Sequence, residues 1–392
     1  MKTTDFEEEI LKEISATEKN KTKKIPLIRP FIDKEELEAV WKVFQSGYLA
    51  KGPTAKLFES EFTEYLGIKH ASAVSSCTTA LHLALVCLGI GPGDEVIVPD
   101  FTYPATGHVV FHVGAKPILV DIDLKTFNLD PAKLEDAITE NTKSIIVVHL
   151  FGYPAEMSTI LEIAEKYDLS IIEDAACAIG TLYKGKKAGT FGDIGCFSFH
   201  ARKLLTTGEG GMLVTDNDEY VKIAHSMKDF GIRIVSNKVY FTHPGFNYRL
   251  SDVLAAIGRI QLKKIDKILE KRKEISKVYT ELLSDVEGII PPHIEPHVTH
   301  TYQSYVILLD EKFGVNRDKV IELMAQRGIE SQIGTYSLHL QPCYKRLNFN
   351  PKNLINSSIA FRNSLTLPLF HHMTLDQVEF VANALKNIQK NQ

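Results

Sequence analysis

The chain has 392 residues, of which 44% are hydrophobic and 24% charged. This is an ordinary globular composition at a length suited to about two or three domains, or one large domain with a smaller companion, and it excludes disordered, collagen-like and disulfide-stapled chains. The 45 basic side chains nearly balance the 49 acidic ones, for a formal net charge of −4, which provides no electrostatic footprint for nucleic acid.

Residues 1–24 read as an N-terminal extension. In it Phe6, Ile10, Leu11 and Ile14 can line one helix face ahead of a basic linker, and no signal-peptide core is present. No later apolar run approaches the ~18–20 residues of a membrane-spanning helix. The five cysteines (Cys77, Cys87, Cys177, Cys196, Cys343) form no C-x-x-C pair. The expectation is a reduced, cytoplasmic protein with no metal site and no membrane partner.

The body begins at Ile25. Leu37, Val40, Trp41 and Phe44 predict a helix over 34–46 that Gly47 ends, and the Gly52-Pro53 turn introduces a second through Leu57, Phe58, Phe62 and Leu66. From residue 71 the texture changes. Short apolar runs at 71–74, 95–98, 116–120, 144–150 and 169–172 alternate with helical patterns at 79–88, 104–113, 131–138 and 156–167. Such alternation implies parallel strands joined by right-handed crossovers, hence an α/β core covered on both faces. Two β-rich pieces follow at 195–199 and 211–215, then a long helix over 254–275. Beyond about residue 280 a strand at 305–309 and helices at 318–326 and 376–386 suggest a smaller α+β domain. The expected division is a large domain over 25–265, with 25–50 packing on its companion, and a small one over 266–392.

Ligands of parallel sheets collect at the carboxyl ends of the strands. After the first run comes Ser75-Ser76-Cys77-Thr78-Thr79, leading into a helix. Its free amides and hydroxyls make a phosphate seat, although taken by itself such a run is more often a ligand-free N-cap. The fifth run ends in Glu173 and Asp174. Alternation turns one of them inward, where a carboxylate needs a partner, and a helix cap or salt bridge would also account for the pair. Between 195–199 and 211–215 lie Lys203, Leu204-Leu205 and a Gly-rich turn. Most lysines are solvated surface groups, but burial would lower this one's pKa and make it a usable amine nucleophile. A phosphate seat, an acid at a strand end and a poised lysine are the parts a pyridoxal phosphate site requires. The signature loops of P-loop NTPases, dinucleotide-binding folds and α/β-hydrolases are absent from the sequence.

From residue 25 to about 387 the chain resembles the DegT-like family of pyridoxal-phosphate-dependent nucleotide-sugar aminotransferases. The resemblance is carried by IPLIRP, SGYLAKGP, SSCTTALHLAL, VPDFTYPAT, VVHLFGYPA, IIEDAACAIG, CFSFHARKLLTTGEGG and GFNYRLSD. It implies the aspartate aminotransferase-like α/β fold, with a large mostly parallel sheet domain, a smaller α+β C-terminal domain and a homodimer whose active sites are shared across the interface. It also implies pyridoxal 5'-phosphate as cofactor, Lys203 as the Schiff-base lysine and Asp174 as partner of the pyridinium nitrogen. Tyr103 would stack on the ring. Thr78, the Cys77 amide and Ser198 would hold the phosphate, joined by Asn247 from the other subunit.

Cys177 stands where the family usually carries Gln or His near the cofactor's phenolic oxygen. His200 reads as a packing or supporting residue rather than a base. Members with histidine in place of the lysine are dehydratases, and Lys203 argues against that outcome. The implied activity moves an amino group from glutamate, leaving 2-oxoglutarate, to a nucleotide-linked keto-sugar. The TTGEGG form resembles members that aminate 4-keto sugars. Substrate contacts are expected from 183–187, 235–243 and 337–344. A non-nucleotide cyclic ketone is the alternative substrate, and a non-catalytic regulatory role is the alternative function.

Overall fold

The structure, a computed structural model, describes residues 24–347 and 349–390, so the expected extension lies outside the described residues up to Lys24. Asp33 and Glu36 close a capping box at the head of the Lys34–Ser46 helix, and Gly47 (φ 74°) ends it in the left-handed conformation that glycine adopts without penalty. Pro53 occupies the first turn of the next helix, Pro53–Leu66, where a missing N–H costs nothing.

The main sheet has seven strands in the spatial order His70–Val74, Gly211–Thr215, Ile194–Ser198, Ser170–Asp174, Thr142–Val148, Glu95–Pro99, Lys116–Val120. The last five are mutually parallel, while Gly211–Thr215 runs antiparallel to both of its neighbours. Helices Cys77–Cys87, Ala105–His112 and Met157–Lys166 make crossovers. Every residue of Glu95–Pro99 is buried, which is why this strand reads as an apolar run rather than an alternation.

A second, antiparallel sheet of four strands has the order Ile289–Ile290, Tyr305–Leu309, Ser364–Leu367, Gln332–Ile333. It shares a core with helices Ile265–Leu283, Arg317–Gln326 and Leu375–Lys390. Ile25 joins that core and bridges to Ile329, so the first described residues pack with the second sheet's core before the chain builds the first sheet.

Three elements differ from expectation. Residues 131–138 form two short 3-10 turns, Pro131–Lys133 and Glu135–Ala137. Leu134 is their one buried anchor, too little apolar surface to stabilise a helix. The long helix at 254–275 is two helices, Asp252–Lys263 and Ile265–Leu283. The first packs on the two N-terminal helices and the second on the small sheet's core. At the junction the Lys264 amide bonds back to Gln261, and its ammonium meets Asp33 and Glu36, each at 2.8 Å. The helix therefore breaks where its buried face changes partner. Thirdly, Ile232–Val235 and Lys238–Phe241 form an unanticipated hairpin, with Ile234 69% and Phe241 70% exposed. Among the described residues no helix is long and apolar enough to cross a membrane.

Phe58, Phe62, Phe197 and Phe199 form an aromatic cluster with ring centroids 5.2–5.9 Å apart. It locks the Pro53–Leu66 helix onto the sheet on either side of Ser198. Phe62→Ala is expected to cost about 3–5 kcal/mol, seen as a lower urea midpoint; an unshifted midpoint would contradict this packing.

Candidate active site

The carboxyl ends of the parallel strands open onto a cavity of about 770 Å³. Cys77, Thr78, Tyr103, Asp174, Cys177, Ser198 and Lys203 all line it. Asn247 does not. It is exposed, in a bridge to Asp229 on another face of the chain.

Ser76 and Thr79 form a capping box at the head of the Cys77–Cys87 helix. The Cys77 and Thr78 amides that follow are first-turn donors with no acceptor inside the helix. A Cβ on Gly211 would lie 2.5 Å from the Ser76 carbonyl carbon and 2.6 Å from the Cys77 nitrogen. The neighbouring strand thus closes against this seat at a distance that only glycine permits.

Glu173 and Asp174 are both buried, on opposite faces of their strand. Glu173 accepts the Gly189, Phe191 and Gly192 amides at 2.6–2.7 Å and lies 2.8 Å from His149 Nε2. The Ala155 amide donates to His149 Nδ1 at 3.1 Å, so Nε2 carries the proton towards Glu173. Glu173 is therefore a structural clamp, and Asp174 is the acid of the cavity. Asp174 accepts from Thr106 Oγ1 at 2.8 Å and from the Ala176 amide at 3.1 Å. Burial pushes its carboxyl above the ordinary range, while those two donors and the Lys203 charge pull it back.

Lys203 sits in the loop that leaves Ile194–Ser198. Gln303 braces this loop, accepting the Leu204 amide at 3.1 Å and donating to the Arg202 carbonyl at 2.8 Å. The Lys203 Nζ lies 3.0 Å from Cys177 Sγ. The expectation that burial makes this amine easier to deprotonate needs correcting. Burial does push the ammonium down, but Cys177, Cys77 and Asp174 outweigh it and the net shift is upward. Without another cation beside Asp174, Lys203 stays charged.

Other placements also depart from the sequence reading. His200 supports the Lys203 loop rather than packing in a core. It stands half exposed on the cavity wall, accepting the Arg202 amide at 3.2 Å, with Nε2 3.6 Å from Glu209. None of 183–187, 235–243 or 337–344 lines this cavity. Tyr183, Ser337, Leu338 and Tyr344 are buried in packing, and Gln332 and Thr335 take the wall instead. Thr106, Gln303 and Arg272 were not singled out from sequence. A lone Thr, Gln or Arg within a helix or loop carries no local signal of a long-range contact.

The residues present fit pyridoxal phosphate. The Cys77–Thr78 amides offer a phosphate seat, and Tyr103, 66% exposed, offers an aromatic face. Asp174 is a buried acid suited to a ring cation, and Lys203 is an amine in the same cavity.

Comparison with known proteins agrees. Residues 30–386 match the model of the DegT/DnrJ/EryC1/StrS aminotransferase family. The spore coat polysaccharide biosynthesis protein SpsC of Bacillus subtilis is 38% identical over 378 residues, covering 93% of this chain and 97% of its own. GDP-perosamine synthase of Caulobacter vibrioides is 38% identical over 367 residues, covering 93% and 98%. Among solved structures, Spr1654 of Streptococcus pneumoniae in its PLP form superposes with a TM-score of 0.89 at 31% identity, covering 94% of this chain and 99% of that one.

Because Asp174 is raised in the folded, cofactor-free protein, the folded state holds that proton more tightly than the unfolded chain. Stability is therefore lost as pH rises from the ordinary carboxylate range through the raised value. Cofactor-free Asp174→Asn should melt a few degrees above cofactor-free wild type at pH 8, with the gap closing towards pH 4. With pyridoxal phosphate bound the order should reverse. Equal melting curves at both pH values would refute the burial argument.

Proposed function

We propose that this chain, which belongs to the DegT/DnrJ/EryC1/StrS aminotransferase family, transfers the amino group of glutamate to C4 of a nucleotide-linked 4-keto-6-deoxy sugar. The fold and family make it a pyridoxal-phosphate-dependent sugar aminotransferase. The observation that carries the reading is the convergence of Lys203, Asp174 and the Cys77–Thr78 amides on one cavity. Relatives named GDP-perosamine synthase support a nucleotide-linked acceptor, and SpsC supports an amino-sugar product destined for a surface polysaccharide.

Bound pyridoxal phosphate supplies an electron sink for the carbon that loses its proton. The chain's residues do the rest. The Cys77 and Thr78 amides and the Ser198 hydroxyl would hold the phosphate group. Asp174, as a carboxylate, would keep the ring nitrogen protonated, and Tyr103 would cover the ring face. With a protonated ring nitrogen beside it, Asp174 would hold the Lys203 charge less tightly. Lys203 would take the donor's Cα proton as a base and return one as an acid. In the second half-reaction it works in the opposite order on the sugar.

Asn247 and the exposed Ile232–Phe241 region support a second copy of the chain, with Asn247 completing the partner's phosphate seat. Mixing Asn247→Ala with Lys203→Ala subunits separates the cases. A shared site yields one intact site in each mixed dimer, so activity should recover to about a quarter of wild type. Independent sites would yield no recovery.

Lys203→Ala should abolish turnover and the visible absorption of the lysine-bound cofactor; a coloured, active variant would overturn the assignment. Incubation with glutamate and UDP-, GDP- or dTDP-4-keto-6-deoxy sugars should release 2-oxoglutarate and an amino sugar. Turnover confined to 3-keto sugars would reject C4 transfer.

A further inference from the structure

Arg272, on the Ile265–Leu283 helix, is only 5% exposed and lines the same cavity as Lys203. A buried cation is costly unless matched by an anion, and among the described residues no carboxylate pairs with it. Its Nε donates to the Tyr302 carbonyl and its Nη2 to the Gln303 carbonyl, both at 2.8 Å. These neutral acceptors fix the guanidinium plane without cancelling its charge. Among the described residues Nη1 has no hydrogen-bond acceptor, and the residue lines both this cavity and a small adjoining pocket beside His371. Burial alone pushes the group down to about 9, so it stays protonated at neutral pH.

The acids of the cavity are committed elsewhere. Asp174 is held by Thr106 and Ala176, and Glu209 faces His200. Arg202, the other arginine on the wall, is at the exposed rim with Nη1 3.3 Å from Gln332. One wall of the cavity thus carries a rigid, desolvated, half-satisfied guanidinium beside the reactive lysine. That is the geometry in which an arginine takes a carboxylate through charge-assisted hydrogen bonds.

We infer that Arg272 seats a carboxylate of the amino donor, fixing the donor's orientation relative to Lys203. The inference rests on the transamination reading of this cavity and adds the residue that distinguishes an amino-acid donor from a simple amine. Donor and sugar then make different demands on one cavity. Arg272 serves the half-reaction that brings a carboxylate and is dispensable in the half-reaction that brings a sugar.

Glutarate, which has both carboxylates of glutamate but no amine, isolates this interaction. Calorimetric titration of the holoenzyme should show glutarate binding that weakens about ten- to hundred-fold in Arg272→Gln. KM for glutamate should rise in parallel, while the reaction of the aminated enzyme with the keto-sugar changes less than twofold. A folded, coloured Arg272→Gln that binds glutarate as tightly as wild type would overturn the inference. If that variant does not fold, a crystal structure of the wild-type holoenzyme with glutarate decides. A carboxylate against Arg272 Nη1 supports the inference, and glutarate elsewhere or absent defeats it. Failure of the transamination reading would instead appear as a colourless protein with no lysine-bound cofactor, so the two failures are distinguishable.

Discussion

A carboxylate removed from water survives in a fold only where its charge is met by donors. Glu173 has no exposed surface, and the Gly189, Phe191 and Gly192 amides and His149 all converge on it. Those amides belong to the turn that enters Ile194–Ser198, and His149 directly follows Thr142–Val148. One side chain therefore ties its own strand to the neighbours on both sides at the edge where the cavity opens. Gly189 has φ 87°, and a Cβ there would lie 2.3 Å from the Phe197 ring, so the turn that supplies the amides depends on glycine. With Glu173 held on one face, the period of two sends Asp174 to the other. The position of the acid in the cavity follows from the clamp beside it.

The electrostatics of the cavity follow in turn. Asp174 and Lys203 influence each other inside a low-dielectric pocket, the acid raised by burial and the amine raised, against burial, by Cys177, Cys77 and Asp174. A ring cation beside Asp174 would favour the carboxylate and weaken its pull on the Lys203 proton. Cofactor binding and lysine activation would then be coupled through Asp174. Cys177 Sγ, 3.0 Å from Nζ, adds a polarisable neighbour whose thiol is only a weak donor.

Much of this was legible in the sequence where the signal is local. Apolar runs alternating with helical periods disclosed the parallel strands, and the residues just after them disclosed Thr78, Asp174 and Lys203. The helix at 131–138 was misread because periodicity does not reveal how much of a face finds cover; Leu134 alone is buried. The division of 254–275 was missed because both halves keep helical spacing, and only the tertiary contacts of Lys264 with Asp33 and Glu36 separate them. The net shift of Lys203 was misjudged because burial is a local guess, whereas the charges around the amine come from residues 77, 174 and 177. Arg272 was invisible for the same reason. Its importance lies in what fails to pair with it, and no sequence pattern records a missing partner.

One cluster shows why geometry must be read with its chemistry. His339 Nδ1 lies 2.6 Å from Asp100 Oδ2, and its Nε2 lies 3.3 Å from Ser358 Oγ, an arrangement with the outline of a nucleophilic triad. The Ser358 hydroxyl, however, donates to the Leu354 carbonyl at 3.1 Å from within the Ile355–Asn363 helix, so its one proton is already committed. Asp100 also accepts the His339 amide at 2.8 Å, and the Leu338 amide reaches the Asp100 carbonyl at the same distance. Tyr336–Ser337 pairs with Phe101–Thr102. One strand over, Asp121 accepts the Ser357 amide and hydroxyl, each at 2.7 Å. The acids that follow Glu95–Pro99 and Lys116–Val120 therefore act as staples. They bind the 336–358 segment to the sheet edge and hold rigid the short strand from which Tyr103 emerges into the cavity. What resembles a second catalytic centre is better understood as the mounting of an aromatic side chain in the first.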